Sequence, residues 1–145
     1  MKMEKFLKDE NCFEAFYGGR YRYDHLVRYQ LMDASIMIPR QLEVLMNLDG
    51  YDLMAIEGQS SVDSPLTISI TRQQLDEGMT PVMKNQQLLM RKSAEIKGIK
   101  VDGYQGMIIK NDLGFKGCET SLIVVVNQIM IKVTVLFNEY FVNMD

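Results

Sequence analysis

The stretch LIVVVNQIMIKVTVLF, residues 122–137, carries the clearest fold signal in the sequence. Its two apolar runs flank Asn127-Gln128, which stands where a hairpin has its two-residue loop. Residues on either side of such a loop pair with each other, so we expect Val126 opposite Ile129. The stretch therefore predicts an antiparallel hairpin whose register is set by its turn.

This register gives the hairpin two faces of different composition. One face is wholly apolar and is expected to pack against a helix. Its members are Leu122, Val124, Ile131, Val133, Val135 and Phe137. The other face is mixed, although a sheet face turned to solvent is normally polar at most positions. Four aliphatic residues there are predicted to form a surface for partner binding or self-association: Ile123, Val125, Met130 and Leu136. The alternative is that an N-terminal helix carrying Phe6, Phe13 and Phe16 covers this face within the same chain.

Strand signals continue outward from the hairpin toward the N-terminus. Alternating or short apolar runs predict strands at 20–31, 35–38, 42–47, 51–57, 66–71 and 105–110. Asp49-Gly50, between two of these runs, is a favoured hairpin turn. Most of the chain is therefore predicted to form strands joined by short turns.

Two segments carry helical patterns instead. Residues 2–17 place aromatic side chains at roughly helical spacing and are followed by Gly18-Gly19. Thr80-Pro81 is a good helix start, because Thr caps a free amide and Pro at the first position loses no needed donor. That helix is expected to run to about Lys97 and to end at Gly98. The order of elements predicts an α+β fold, an antiparallel sheet packed against one long helix with an additional N-terminal helix.

Length and composition limit the classes of protein to which the chain can belong. With 145 residues, one domain spanning 1–145 is expected. The net charge of −3 gives no reason to expect a nucleic-acid partner. No run approaches the roughly 20 apolar residues that cross a bilayer, so no membrane partner is expected. The charged N-terminal segment lacks the apolar region of a signal peptide, which favours the cytoplasm, although an exported form that has lost its signal would look the same.

Catalytic and metal-binding residue patterns are missing from the sequence. His25 is the single histidine and lies in a predicted strand among Tyr and Val, where packing is a better explanation than catalysis. Cys12 and Cys118 are far apart, form no metal-binding motif, and are expected to be free thiols. We find no phosphate-binding loop and no pair of acid and base residues. The sequence therefore predicts a non-enzyme with no catalytic residue, no cofactor and no metal site.

Three short motifs resemble those of a known family. They are SIMIP at 35–39, TISITR at 67–72 and VDGYQGMII at 101–109, and the final hairpin follows them. Together they resemble bacterial Mog1/PsbP-like domains, particularly the DcrB-related group. The resemblance covers about residues 34–137, which it implies are the domain core. Residues 1–33 have no counterpart and are expected to be an extension containing the N-terminal helix and strand.

The resemblance also implies a function. Members of the group include chaperones that dock on effectors of bacterial type VI secretion systems, so a non-catalytic chaperone or adaptor for an effector is the first hypothesis. Self-association as a homodimer is considered beside it. The alternative is an immunity protein that neutralises a toxin. A chaperone should expose an aliphatic groove, whereas an immunity protein should present a charged patch. A further alternative is a small-ligand binder or enzyme with a pocket between the sheet and the strand predicted at 20–31.

Overall fold

The computed structural model describes residues 2–3, 26–31, 34–40, 42–48, 50–56, 66–90, 94–114 and 117–138. His25, Cys12 and all but the first two residues of the predicted N-terminal helix lie outside these ranges. For Cys118 the backbone is described and the side chain is not. The division of the chain into 1–33 and 34–137 stays a prediction.

The described residues form nine strands and two short helices. In chain order the elements are β1 (Leu26–Gln30), β2 (Ser35–Pro39), β3 (Glu43–Leu48), β4 (Tyr51–Ile56), β5 (Leu66–Gln74), α1 (Pro81–Lys84), α2 (Gln86–Leu89), β6 (Glu95–Val101), β7 (Tyr104–Gly114), β8 (Gly117–Val126) and β9 (Ile129–Asn138).

The strands form one large antiparallel sheet and one small one. The large sheet has seven strands in the order β3-β4-β5-β9-β8-β7-β6, and β1 pairs with β2 in the small sheet. The β8–β9 hairpin has the predicted register, with Val126 opposite Ile129. Asn127 and Gln128 adopt φ values of +50° and +66°. A two-residue turn with positive φ at both positions matches the right-handed twist of the strands that it joins.

The main core lies between the large sheet and the β1–β2 pair. The apolar face of the β8–β9 hairpin packs there with Ile36 and Ile38 of β2. Its members with described side chains are fully buried: Leu122, Val124, Ile131, Val133 and Val135. Met3 joins the same cluster, and its backbone N–H donates to the carbonyl of Ser35 at 2.8 Å. The face predicted to meet a helix therefore meets strands and an N-terminal residue.

The predicted long helix is wrong. Thr80 does cap a helix, because its Oγ1 accepts from the backbone N–H of Met83 at 3.2 Å. However, α1 ends at Lys84, α2 is only four residues long, and residues 95–97 of the predicted helix belong to β6. Strand β6 pairs along its length with β7 across the turn at Asp102-Gly103, whose φ values are +49° and +88°. The predicted α+β architecture is thus wrong for the described residues, which are mainly strand.

Candidate functional site

The chain between β5 and β6 crosses one face of the large sheet. Residues 75–90, here called the connector, follow β5 and run on the side opposite the main core, because Leu75 packs against the other face of the sheet. Leu75 of the connector forms a second, smaller buried cluster with Ile109, Ile123 and Met130 of the sheet. The connector thus covers part of the mixed face of the β8–β9 hairpin.

Hydrogen bonds attach the first part of the connector to the hairpin loop. The backbone N–H of Leu75 donates to the carbonyl of Gln128 at 2.8 Å. The chain then turns, and the N–H of Met79 donates to the carbonyl of Asp76 at 2.9 Å. Thr80 caps α1 immediately afterwards. Hydrogen bonds therefore fix the backbone at Leu75, at Met79 and at the start of α1.

Asn85 attaches the second part of the connector to the sheet. Its side-chain amide Nδ2 donates to the carbonyl of Pro81 at 2.8 Å and contacts Sδ of Met130 at 3.4 Å. Its backbone N–H also donates to the Pro81 carbonyl, at 3.1 Å. Since a buried amide is costly without partners, these bonds hold the short helices in place over β9.

Between the connector and the sheet lies a pocket of about 540 Å³. Its sheet side is apolar and is formed by Met107, Ile123 and Val125, and its connector side includes Leu75 and Met79. We call this cavity the methionine pocket. Exposed polar side chains complete its border: Asp76, Glu77, Gln105 and Gln128. The pocket can therefore hold an apolar group with polar contacts at its border.

Among the described residues, exposed apolar side chains are concentrated in the stretch of sequence that follows the pocket residue Pro81. Among the described residues, most large hydrophobic side chains left in solvent belong to the segment 82–104: Val82, Met83, Met90, Ile96 and Tyr104. The remaining two, Met46 and Tyr51, lie on the β3–β4 hairpin. Isolated exposed hydrophobics are ordinary, but several in one segment beside an apolar pocket are typical of a binding surface.

The structure brings together three of the four residues predicted to bind a partner. Ile123 and Met130 are 1% and 4% exposed beneath the connector, and Val125 is half-buried in the pocket wall. Leu136 lies farther along β9, where it pairs with Glu119 and is half-buried. The described cover of this face is the connector, while the N-terminal helix considered as a cover lies outside the described residues.

Sequence reasoning missed the pocket residues that the connector and β7 supply. No role is predicted for Leu75, Met79 or Met107, because residues 80–97 are predicted to form one long helix. A usable signal is present in the sequence: Asp102-Gly103 is a favoured hairpin turn. The hairpin that forms there places Met107 on the pocket side of the sheet.

Groups suited to metal chemistry do not come together in the described part of the chain. No three His, Cys, Asp or Glu side chains gather there in a way that could hold a metal ion. Asp76 and Glu77 are the carboxylates bordering the pocket, and both are exposed. None of the helices in the described ranges has the length and apolar character needed to span a membrane.

Some buried polar atoms have no hydrogen-bond partner within the described ranges. They are Oγ1 of Thr67, Oγ1 of Thr120 and both side-chain amide atoms of Asn111. Asn111 is 2% exposed and lies on β7, beyond the strand residues that border the methionine pocket. These atoms therefore do not contribute to the candidate site.

Comparison with known proteins identifies the fold. No family model matches the sequence, and no curated protein matches it. The solution structure of cyanobacterial PsbP from Synechocystis is similar, with a TM-score of 0.54 and 10% identity over 84% of this chain and 85% of that chain. This likeness confirms the Mog1/PsbP-like fold that the sequence motifs implied.

Two further solved structures are more distant. A protein from Bacteroides thetaiotaomicron gives a TM-score of 0.46 at 12% identity and matches 72% of this chain but only 38% of its own length. A protein of unknown function from Pseudomonas aeruginosa gives a TM-score of 0.38 at 12% identity, over 82% of this chain and 87% of that chain.

Proposed function

We propose that the protein binds an apolar segment of another protein at the methionine pocket and catalyses no reaction. The observation that carries this proposal is an apolar pocket lined by two half-buried methionines, beneath a connector that carries two exposed ones. Met79 and Met107 line the cavity, and Met83 and Met90 are 53% and 74% exposed on the same connector. Methionine is unbranched and polarizable, so a surface built from it can adjust to different apolar partners.

Within this class we propose a chaperone or adaptor for an effector of a bacterial type VI secretion system, acting in the cytoplasm. The support for the secretion role is the resemblance of the sequence motifs to the DcrB-related group, and the support for a chaperone is the exposed apolar surface. An effector segment that is apolar needs cover before export, and this pocket supplies flexible apolar contacts of the appropriate kind. Neither a nucleic acid nor a membrane is part of the proposal.

A toxin-neutralising immunity protein is the second candidate. Its support is the adjacent pair Asp76 and Glu77, which would attract a basic toxin surface. We place it second because the pocket side chains that face the sheet are apolar, and an apolar site selects partners by burial more than by charge.

A small-ligand binder or enzyme is the third candidate. The pocket volume of about 540 Å³ falls within the range of small-molecule sites. The pocket lies beneath the connector, however, and not beside the strand predicted at 20–31. Asp76 and Glu77 are exposed and stand next to each other on one turn, which does not provide separate acid and base positions across a substrate.

Photo-cross-linking in the host tests the chaperone proposal directly. A photoreactive phenylalanine analogue replaces Met83 on α1 or, as the control, Met46 on β3, which is 42% exposed at the other end of the sheet. We expect one predominant protein cross-linked from position 83 and absent from position 46. The same set of proteins from both positions, or none from position 83, would contradict the proposal.

Charge substitutions supply the matched binding experiment. The cross-linked partner is purified, and its affinity for Met83→Glu/Met90→Glu is compared with its affinity for Met46→Glu. We expect at least a tenfold loss for the double variant, because each charge would have to be desolvated against an apolar partner surface. Thermal unfolding should be unchanged, since all three side chains are exposed. Equal binding by the two variants would place the partner elsewhere on the molecule.

A further inference from the structure

Strand β6 is an edge strand whose side chains are almost all in solvent. It pairs with β7 on one side, and its outer side has no strand neighbour among the described residues. Residues 95–98 are all exposed, and Ile96 keeps 56% of its side-chain surface in solvent. An edge strand presents a row of backbone donors and acceptors that another strand can use.

The segment Glu95-Ile96-Lys97 is complementary to itself in an antiparallel pair. When Ile96 lies opposite Ile96 of a second copy, Glu95 lies opposite Lys97 of that copy, and Lys97 opposite its Glu95. Each pair of opposite charges shares one face of the sheet, and the two isoleucines meet on the other.

Symmetry limits the registers that two copies can adopt. A two-fold axis between antiparallel strands runs perpendicular to the sheet, so the same face of both copies lies on the same side. Each register is therefore centred on one residue. Centring on Glu95 or Lys97 places like charges against each other, and centring on Gly98 pairs Lys97 with an isoleucine. Among registers centred on 95–98, only the one at Ile96 pairs opposite charges.

The neighbouring positions leave room for this register. It places Ala94 of one copy opposite Gly98 of the other. A Cβ built on Gly98 would have no heavy atom within 4 Å, so a second chain can approach there without a clash. Lysine is common on exposed edge strands, where its charge discourages pairing with other chains. In this register Glu95 of the second copy lies opposite Lys97, so the same charge favours this pairing over others.

We propose that β6 is a homodimer interface in which two copies pair antiparallel about Ile96 and join their large sheets into one continuous sheet. A second copy is the proposed occupant because Glu95 and Lys97 of one copy face Lys97 and Glu95 of the other. The registers centred on Glu95 or Lys97 would instead place like charges opposite each other. This proposal does not depend on the partner proposed for the methionine pocket, since no residue of β6 lines that pocket, although Ile96 belongs to the exposed apolar segment beside it.

Disulfide trapping tests the register. In a Cys12→Ser/Cys118→Ser background, Ile96→Cys places two thiols opposite each other, and directly opposed residues have Cα atoms about 4.5–5.5 Å apart, within disulfide reach. Lys100→Cys is the control on the same strand and face, because this register separates the two copies' position 100 by about 26 Å. We expect a reducible covalent dimer from position 96 and a monomer from position 100. The reverse result, or equal cross-linking at both, overturns the proposal.

Charge exchange provides a test that needs no cysteine. Glu95→Lys and Lys97→Glu each create two like-charge pairs across the axis, whereas the double variant Glu95→Lys/Lys97→Glu restores two attractive pairs. By light scattering we expect each single variant to weaken dimerisation about tenfold and the double variant to recover it within about threefold. Circular dichroism checks that every variant remains folded. A double variant as weak as the singles, or a wild-type chain that is monomeric at every concentration, overturns the proposal.

Discussion

The side-chain amide of Asn85 lies 3.4 Å from Sδ of Met130 and joins the connector to the central strand pair of the sheet. Both residues are buried, at 5% and 4% exposure. The contact shows why the mixed face of the β8–β9 hairpin is not an open sheet face: a covering segment is attached to it through a polar group as well as through apolar packing.

Met130→Asp should therefore unfold the protein more readily. Burying a carboxylate among Leu75, Ile109 and Ile123 should lower the free energy of unfolding by about 3–5 kcal/mol. Val125→Asp, at a half-buried position in the pocket wall, should cost less stability and should weaken partner binding. Urea unfolding followed by circular dichroism measures both. Equal stability losses for the two variants would mean that the connector does not cover Met130 in solution.

Asn85→Ala should separate the polar attachment from the apolar packing. The variant loses the amide bond to the Pro81 carbonyl and the contact to Met130, so we expect about 1–2 kcal/mol less stability. Gln86→Ala, at the next and exposed position, should stay within about 0.5 kcal/mol of the parent. Urea unfolding measures the difference. A similar small effect for both would show that the amide contributes nothing to the connector's attachment.

Gly106→Ala should be destabilising because the backbone of β8 lies too close to admit a Cβ. A Cβ at position 106 would come within 2.9 Å of the carbonyl oxygen of Ile123 and 3.2 Å of Cγ2 of Val101. We expect a loss of about 1–3 kcal/mol in the free energy of unfolding. Gly98→Ala on β6 is the matched control, where the space is open and we expect no loss. Thermal unfolding measures both variants. A lower melting temperature for Gly98→Ala than for Gly106→Ala would contradict the prediction.

Gln128→Gly should stabilise the chain. Gln128 has a φ of +66°, a conformation in which a Cβ is unfavourable and glycine is not. The substitution keeps the carbonyl that accepts from Leu75, so we expect a gain of about 0.5–1 kcal/mol. Gln73→Gly, on the regular strand β5, should be destabilising instead. A loss of stability on Gln128→Gly would argue against the two-residue turn.

The strand arrangement was predictable wherever a local signal and a long-range partner agreed. The hairpin register about Asn127-Gln128 follows from turn chemistry, and the alternation of Leu66, Ile68 and Ile70 follows from one buried face. Both signals act over a few residues, and nothing in the tertiary structure opposes them.

The segment after Thr80 was not predictable in the same way. Its cap and its proline are real helix signals, and Leu89 and Ile96 fit a helical stripe as well as they fit the actual structure. Residues 95–101 form a strand and not a helix because they pair with β7. In this pairing Lys97 lies opposite Ile108, and Gly98 lies opposite Met107. A ladder along the whole of β6 outweighs a helical preference worth tenths of a kcal/mol per residue. The methionine pocket depends on that pairing, so it was missed together with it.

The sheet order has a consequence for synthesis of the chain. Strands β8 and β9 are the last described elements to leave the ribosome, yet they occupy the centre of the large sheet, between β5 and β7. Before they emerge, the other described strands of the large sheet can form two separate groups, β3-β4-β5 and β6-β7, each with an open inner edge. Closing the gap requires the late hairpin to insert between strands made much earlier, a non-local step that is slow and leaves apolar edges unprotected meanwhile. During this interval the nascent chain exposes apolar surface of the kind that holdase chaperones bind.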